Sequence, residues 1–160
     1  KNKTQSKSEL NILVSIGLSG SNVARLTELI DHLRRSENIK LFLTPTLYND
    51  YKNEDVVQFE FSRSEFAILD YIVGRAGLGT ITECIKYRIP FLAINDETNS
   101  ELCWNAHRIN ELEIGRHLQN GVKDLSINEL FNNRDKYLEK IQKRPLNGEL
   151  KVLDFLNTHM

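Results

Sequence analysis

Two stretches of this sequence could hold an anion: Ile16-Gly17-Leu18-Ser19-Gly20-Ser21-Asn22 and Gly74-Arg75-Ala76-Gly77-Leu78-Gly79-Thr80-Ile81-Thr82-Glu83. In each, an apolar run ends in a glycine-rich turn that opens a helical pattern. Glycine lets the backbone come close to a ligand, and a helix start presents N–H groups without intrahelical acceptors at the positive end of its dipole. That combination suits a phosphate or pyrophosphate. Glu83 lies one helical turn beyond Gly79 and Thr80, where its carboxylate can accept hydrogen bonds from a ribose diol beside the pyrophosphate. Arg75 has two readings: a clamp on a phosphate, or a pin holding the loop to a carboxylate such as Asp70.

Other chemistries fit less well. The first glycine cluster lacks G-x-G-x-x-G, and Asp50, the first acidic residue near the end of the second apolar run, follows Gly17 by 33 positions (50 − 17), where a dinucleotide fold wants ~20. No G-K-[ST] follows either cluster, which excludes a P-loop. Cys103 and His107 share a helix face, but nearby carboxylates have no ligand spacing, so no metal is expected, and no cofactor. Cys84 and Cys103 fall in helical patterns without disulfide spacing, which fits a reducing cytoplasm. His32, His107, His117 and His159 show no partner arrangement that suggests catalysis.

The elements that must position these loops are legible in the hydrophobic pattern. Apolar runs at Asn11–Ile16, Leu41–Leu43, Val56–Val57 with Phe59 and Phe61, Tyr71–Val73 and Phe91–Ile94 read as parallel strands covered on both faces. Val23, Leu26, Leu29, Ile30 and Leu33 form one helical stripe; Phe66 and Leu69 mark a short helix opened by the capping box Ser62-x-x-Glu65; Ile81, Cys84 and Ile85 mark another. The alternation predicts an α/β fold, a doubly wound Rossmann-like parallel sheet of five or six strands. After Gly115 two helical segments are expected, about Ile127 to Gln142 and Leu150 to Asn157. We divide the chain into a polar segment at 1–9, a nucleotide-binding domain at 10–120, and helices of the same domain at 121–160. Trp104 reads as core.

Of 160 residues, 21 are Lys or Arg and 22 Asp or Glu, for a net charge of -1. No basic block is present that would neutralise a nucleic-acid backbone, so nucleic acid is not an expected partner. The apolar runs fall well short of the ~20 residues that cross a bilayer. Methionine occurs only at position 160, and the chain opens in a polar run, so it reads as an excised piece or a processed product.

The stretch from Gly74 to Ile94, followed by Glu101-Leu-Cys-Trp-Asn-Ala106, resembles the C-terminal domain of GT-B glycosyltransferases related to the bacterial transferase that adds N-acetylglucosamine in lipid II synthesis. It is also similar to the UDP-sugar hydrolase of pseudaminic acid synthesis. The resemblance spans about Asn11 to Gly115 and implies one GT-B half that binds the diphosphate of a nucleotide-sugar donor, UDP in the family, for cell-envelope polysaccharide. By that likeness Thr80 and the amides of Leu78 and Gly79 face the diphosphate, Glu83 matches the ribose-binding glutamate, and Gly17 and Ser19 match the small-residue loop after the first strand. Backbone near Phe61, at the end of strand three, would edge the base. Asn99, Glu101 and Asn105 fall in the segment that contacts the donor sugar, although Asn105 has the alternative task of fixing the loop from Asn95 to Ser100. Leu102 stands where relatives often carry a sugar-reading Gln. The family's catalytic base comes from an N-terminal acceptor-binding domain, so no catalytic residue is expected here. The implied partner is that domain, or a separate subunit of a split transferase, and any peripheral membrane contact would belong to it. Hydrolysis of the sugar nucleotide, or non-catalytic nucleotide binding, are the alternative functions.

Overall fold

The computed structural model describes residues 8–15, 23–52, 54–94 and 98–144; Gly17, Ser19 and the expected helix from Leu150 to Asn157 lie outside them. Six strands, β1 (Leu10–Ser15), β2 (Ile39–Leu43), β3 (Val57–Gln58), β4 (Tyr71–Arg75), β5 (Phe91–Ile94) and β6 (Gly115–Leu118), alternate with helices α1 (Val23–Leu33), α2 (Pro45–Tyr51), α3 (Arg63–Ile68), α4 (Leu78–Tyr87), α5 (Ser100–Glu111) and α6 (Ile127–Gln142), with a 3₁₀ turn at Gly121–Asp124. All strand pairs are parallel, in the order β3-β2-β1-β4-β5-β6. This is the expected doubly wound sheet, and its order reverses between β1 and β4, the place where such sheets bind ligands beyond the strands' carboxyl ends.

Period-two alternation sends each strand's side chains to two cores. One gathers Leu10, Ile12 and Val14 of β1 with Leu26, Leu29, Ile30 and Leu33 of α1, the stripe expected from the sequence. The other gathers Leu13, Ile72 and Ala93 with Phe66 of α3, Cys84 of α4 and Ile109 of α5. The α6 helix serves both, since Leu130 lies in the first and Ile141 in the second. Its 16 residues span about 24 Å at 1.5 Å per residue. Between those two positions Arg134 Nε donates to Asp70 Oδ1 at 2.7 Å, just before β4 begins. The Tyr71 hydroxyl donates to the Leu130 carbonyl at 2.7 Å. Thus α6 passes the amino edge of the sheet.

Several expectations are corrected. The sixth strand allowed for by the expected count is β6 at 115–118, a segment not assigned to any element from the sequence. As an edge strand it needs no continuous apolar run: Leu118 faces the core and Arg116 pairs with Glu129 of α6. Gly115 cannot carry a side chain there, because a Cβ would lie 1.8 Å from the Phe91 carbonyl oxygen. The α2 helix was not expected; it begins with Pro45 at its first position, where proline's fixed φ and missing N–H cost nothing. The third strand, Val57–Gln58, is shorter than the Val56–Phe61 pattern suggested: Phe59 N still donates to Leu43 O at 2.9 Å, and beyond it Phe59 and Phe61 pack edge-on with ring centroids 5.1 Å apart. Trp104 is no core residue: it is 63% exposed, with the Arg108 guanidinium 5.8 Å from its ring centroid. The α3 start matches expectation, with Ser62 and Glu65 forming both bonds of the capping box.

Candidate functional site

The second glycine-rich stretch sits at the carboxyl end of β4, next to the switch point. Gly74 is needed for strand packing, since a Cβ would lie 2.5 Å from Ser15 O on β1. Gly77 and Gly79 are different. Gly77 has φ −71 and ψ 145, which any residue adopts, and a Cβ at either position would meet no atom of the described residues within 4 Å. Among the described residues nothing requires either glycine, which leaves room for close approach of a ligand.

Gly77 is the N-cap of α4 and offers no side-chain cap, whereas α3, α5 and α6 are capped by Ser62, Asn99 and Ser126. The first helical bond is Ile81 N to Gly77 O at 3.0 Å. The amides of Leu78, Gly79 and Thr80 therefore have no acceptor within the helix, at its positive end. The side chain of Leu78 is 64% exposed. Thr82 donates its hydroxyl to Leu78 O at 2.8 Å, so it is committed to the helix.

Glu83 stands one turn further along α4 and is half-buried. Its burial pushes the carboxyl up from its ordinary value, an effect that Lys86 opposes. Where the carboxylate accepts from a ribose diol, protonation removes the acceptor. Affinity for a UDP-sugar, whose diphosphate stays ionised throughout the range in which carboxylates titrate, should fall as pH drops through the raised Glu83 value. Glu83→Gln should abolish that slope and cost about 1.5–3 kcal/mol at pH 7, with a smaller loss for a 2′-deoxyribose analogue. Calorimetry across pH on both nucleotides checks this, and equal losses would detach Glu83 from the diol.

Arg75 is nine-tenths buried at the last position of β4. A pin to Asp70 is ruled out: the two lie at opposite ends of the strand, about 16 Å apart at 3.3 Å per residue. Asp70 accepts instead from Arg134 and from the Asn11 amide. Asn105 is buried, and its side-chain amide donates to Ala76 O at 2.9 Å, tying α5 directly to the glycine-rich loop. Asn99 uses its carboxamide oxygen to cap α5, accepting from Glu101 N and Leu102 N at 3.0 and 3.2 Å. Glu101 is exposed in the first turn of α5. The structure thus brings Gly77, Leu78, Gly79, Thr80, Glu83 and Asn105 together around one helix start, with Asn99 and Glu101 beyond the neighbouring strand β5. Phe61 lies past β3, three strands from β4, about 14 Å away at 4.8 Å per strand. It is 48% exposed and adopts φ 58, a left-handed conformation that is strained for a non-glycine residue.

His117, the penultimate residue of β6, packs edge-on against His107 of α5 with centroids 4.7 Å apart, a pairing the sequence did not suggest. Burial, with His107 adding to it and Asp124 opposing, pushes its pKa down and favours the neutral ring. Cys84 is fully buried and its thiol is pushed well up by burial, with Glu83 adding to it, so it is not a nucleophile. Among the described residues no group of three or more His, Cys, Asp or Glu could hold a metal ion, and no helix is long and apolar enough to cross a membrane. Two open depressions, of ≈ 310 and ≈ 450 Å³, lie toward the amino edge, around Glu28, His32 and Arg35 and around Arg34, Lys40 and Asp55. Their linings mix charges of both signs. Sheet topology favours the opposite, carboxyl edge as the ligand site.

No protein-family model matches this chain. Nor does any curated protein sequence. Solved structures do match. The glycotransferase of kitacinnamycin aligns over 98% of this chain and 44% of its own, with 16% identity and a TM-score of 0.62. The spinosyn rhamnosyltransferase SpnG, solved with thymidine diphosphate, aligns over 94% and 46%, with 13% identity and a TM-score of 0.64. MurG of Acinetobacter baumannii aligns over 96% and 51%, with 20% identity and a TM-score of 0.65. The chain therefore has the Rossmann-like α/β fold found in one half of these glycosyltransferases, and it spans about half of their length.

Proposed function

We propose that this chain binds the nucleoside diphosphate of an activated sugar, a UDP-sugar, and forms the donor half of a glycosyltransferase whose acceptor half is a second domain or subunit. The observation that carries the reading is the start of α4: three amides without helical acceptors, no side-chain cap, and two glycines that neither backbone conformation nor internal packing requires. A diphosphate explains all three features, because it needs donors, positive potential and room. During transfer the diphosphate leaves, and the same amides stabilise the charge that develops on it. That SpnG, similar to this chain over 94% of its length, was solved with thymidine diphosphate agrees with a nucleoside diphosphate as the ligand.

A substitution separates this role from folding. Gly79→Ala places a better helix former in the first turn of α4, where a Cβ has open space, and should raise stability by about 0.5–1 kcal/mol. The same methyl occupies the ligand's approach and should weaken UDP binding at least tenfold. Thermal melts and calorimetric titration check the pair. Gain of stability with unchanged affinity would mean that the open space at Gly79 serves no ligand. In the unaltered chain, NMR titration with UDP should move amides between 74 and 83.

A further inference from the structure

We infer that Thr44 reads the nucleoside end of the donor, an assignment that rests on the nucleotide-binding reading above. β2 runs directly into this residue at the carboxyl edge. Thr44 N donates to Val14 O at 3.3 Å, and Phe59 N donates to Leu43 O at 2.9 Å, so Thr44 lies between the end of β1 and the exit of β3. Only 7% of it is exposed. It holds the N-cap position of α2, where a threonine hydroxyl ordinarily accepts from an amide of the first turn. Here it makes no such bond, and the buried Oγ1 has no hydrogen-bond partner among the described residues. A buried hydroxyl left in that state is uncommon in native structures, and a bound ligand would satisfy it.

The direction of the side chain agrees. Leu41 and Leu43 face the core built on α1, and Phe42 faces the core that includes α3 and α4. Alternation puts Thr44 on the face of Phe42, the face on which α4 starts. From β4 to β2 is two strand spacings, about 10 Å, in keeping with the separation between a diphosphate on the α4 amides and the base of the same nucleotide. Phe61, exposed and left-handed, stands one strand further out. A hydroxyl both donates and accepts, so it can meet an imide N–H or a carbonyl. Threonine's staggered rotamers let it turn toward the edge without moving the backbone.

Calorimetry of UDP and of inorganic pyrophosphate on the full chain, with Thr44→Val and Thr44→Ser, tests the assignment. Thr44→Val should melt no lower than the parent, since it removes a hydroxyl that is unpaired without nucleotide. It should weaken UDP at least tenfold, leave pyrophosphate within twofold, and Thr44→Ser should restore most of the UDP affinity. UDP affinity within twofold of the parent in Thr44→Val overturns the inference alone, as does an equal loss for both ligands. Should the unaltered chain bind neither UDP nor pyrophosphate, the nucleotide reading falls and this assignment falls with it. A readout independent of the variants is the Thr44 amide in NMR: UDP must move it and pyrophosphate must not, and UDP binding that leaves it in place overturns the assignment.

Discussion

Asp70→Ala is expected to be among the most destabilising single substitutions in this chain, by about 3–5 kcal/mol. Asp70 is 1% exposed, and both carboxylate oxygens are engaged: Oδ2 accepts from Asn11 N and Oδ1 from Arg134 Nε, each at 2.7 Å. The Asn11 side chain completes the knot by donating to Ile68 O at 2.8 Å. One carboxylate thus joins the start of β4, the start of β1 and the middle of α6. Truncation orphans a backbone amide and leaves a guanidinium beside a dry strand end. Because Arg134 is 30% exposed and keeps Asp135 at 3.2 Å, the lower end of the range applies. For a chain of this size a loss of about 3 kcal/mol lowers the melting temperature by roughly 6–12 °C. Asp70→Ala combined with Arg134→Met should cost less than Asp70→Ala alone, since no charge is then stranded. UDP affinity, measured where the variant is folded, should be unchanged, because the knot is at the amino edge and the α4 start is at the carboxyl edge. Denaturant melts of the three variants check the ordering, and a fully additive cycle would show that the pair is not coupled.

The contrast between the two edges explains what the sequence could and could not disclose. Strands buried on both faces announce themselves through unbroken apolar runs, and those at Leu10–Ser15, Tyr71–Arg75 and Phe91–Ile94 were legible for that reason. β6 was not, because an edge strand with one neighbour can be written Gly-Arg-His-Leu. α2 escaped because its seven residues are too few for a helical stripe to repeat. The glycine loop before α4 was legible by composition, yet composition could not separate Gly74, which β1 requires, from Gly77 and Gly79, which nothing among the described residues requires. That distinction is a matter of neighbours in space. Asn105 and Asn99 show the same limit: their types suit a sugar, but one side chain is tied to Ala76 O and the other caps a helix. Thr44 left no trace in the sequence, since a hydroxyl before a proline is ordinary and its lack of a partner exists only in the fold.

Incubated with UDP-sugars and no second protein, the chain is expected to release no detectable UDP, however well it binds. Transfer needs an acceptor held in line with the sugar's anomeric carbon and a base to take its proton, and both must come from a surface facing the α4 start. The solved transferases with this fold are about twice as long, as the chain covers 44% to 51% of them. Positioning by an opposing wall can be worth ~7–11 kcal/mol, a rate factor of roughly 10⁵–10⁸. Among the described residues at the carboxyl edge, the neutral ring of His117 could in principle accept a proton. It is packed against His107 on the flank of α5, and β6 is two strands from β4, about 10 Å away. Glu83 has a carboxyl raised by burial, but on the proposed reading it is engaged by the ribose beside the diphosphate and not by the anomeric carbon. On the proposed reading the donor surface binds and stabilises a leaving diphosphate, and among the described residues none is placed to take the acceptor's proton. A coupled assay for UDP release, run with water as the only acceptor, decides the matter. Steady release near 1 per second would mean that this chain carries its own base and would redirect attention to His117 and Glu83; silence that ends when a second domain or subunit is supplied would locate the base there.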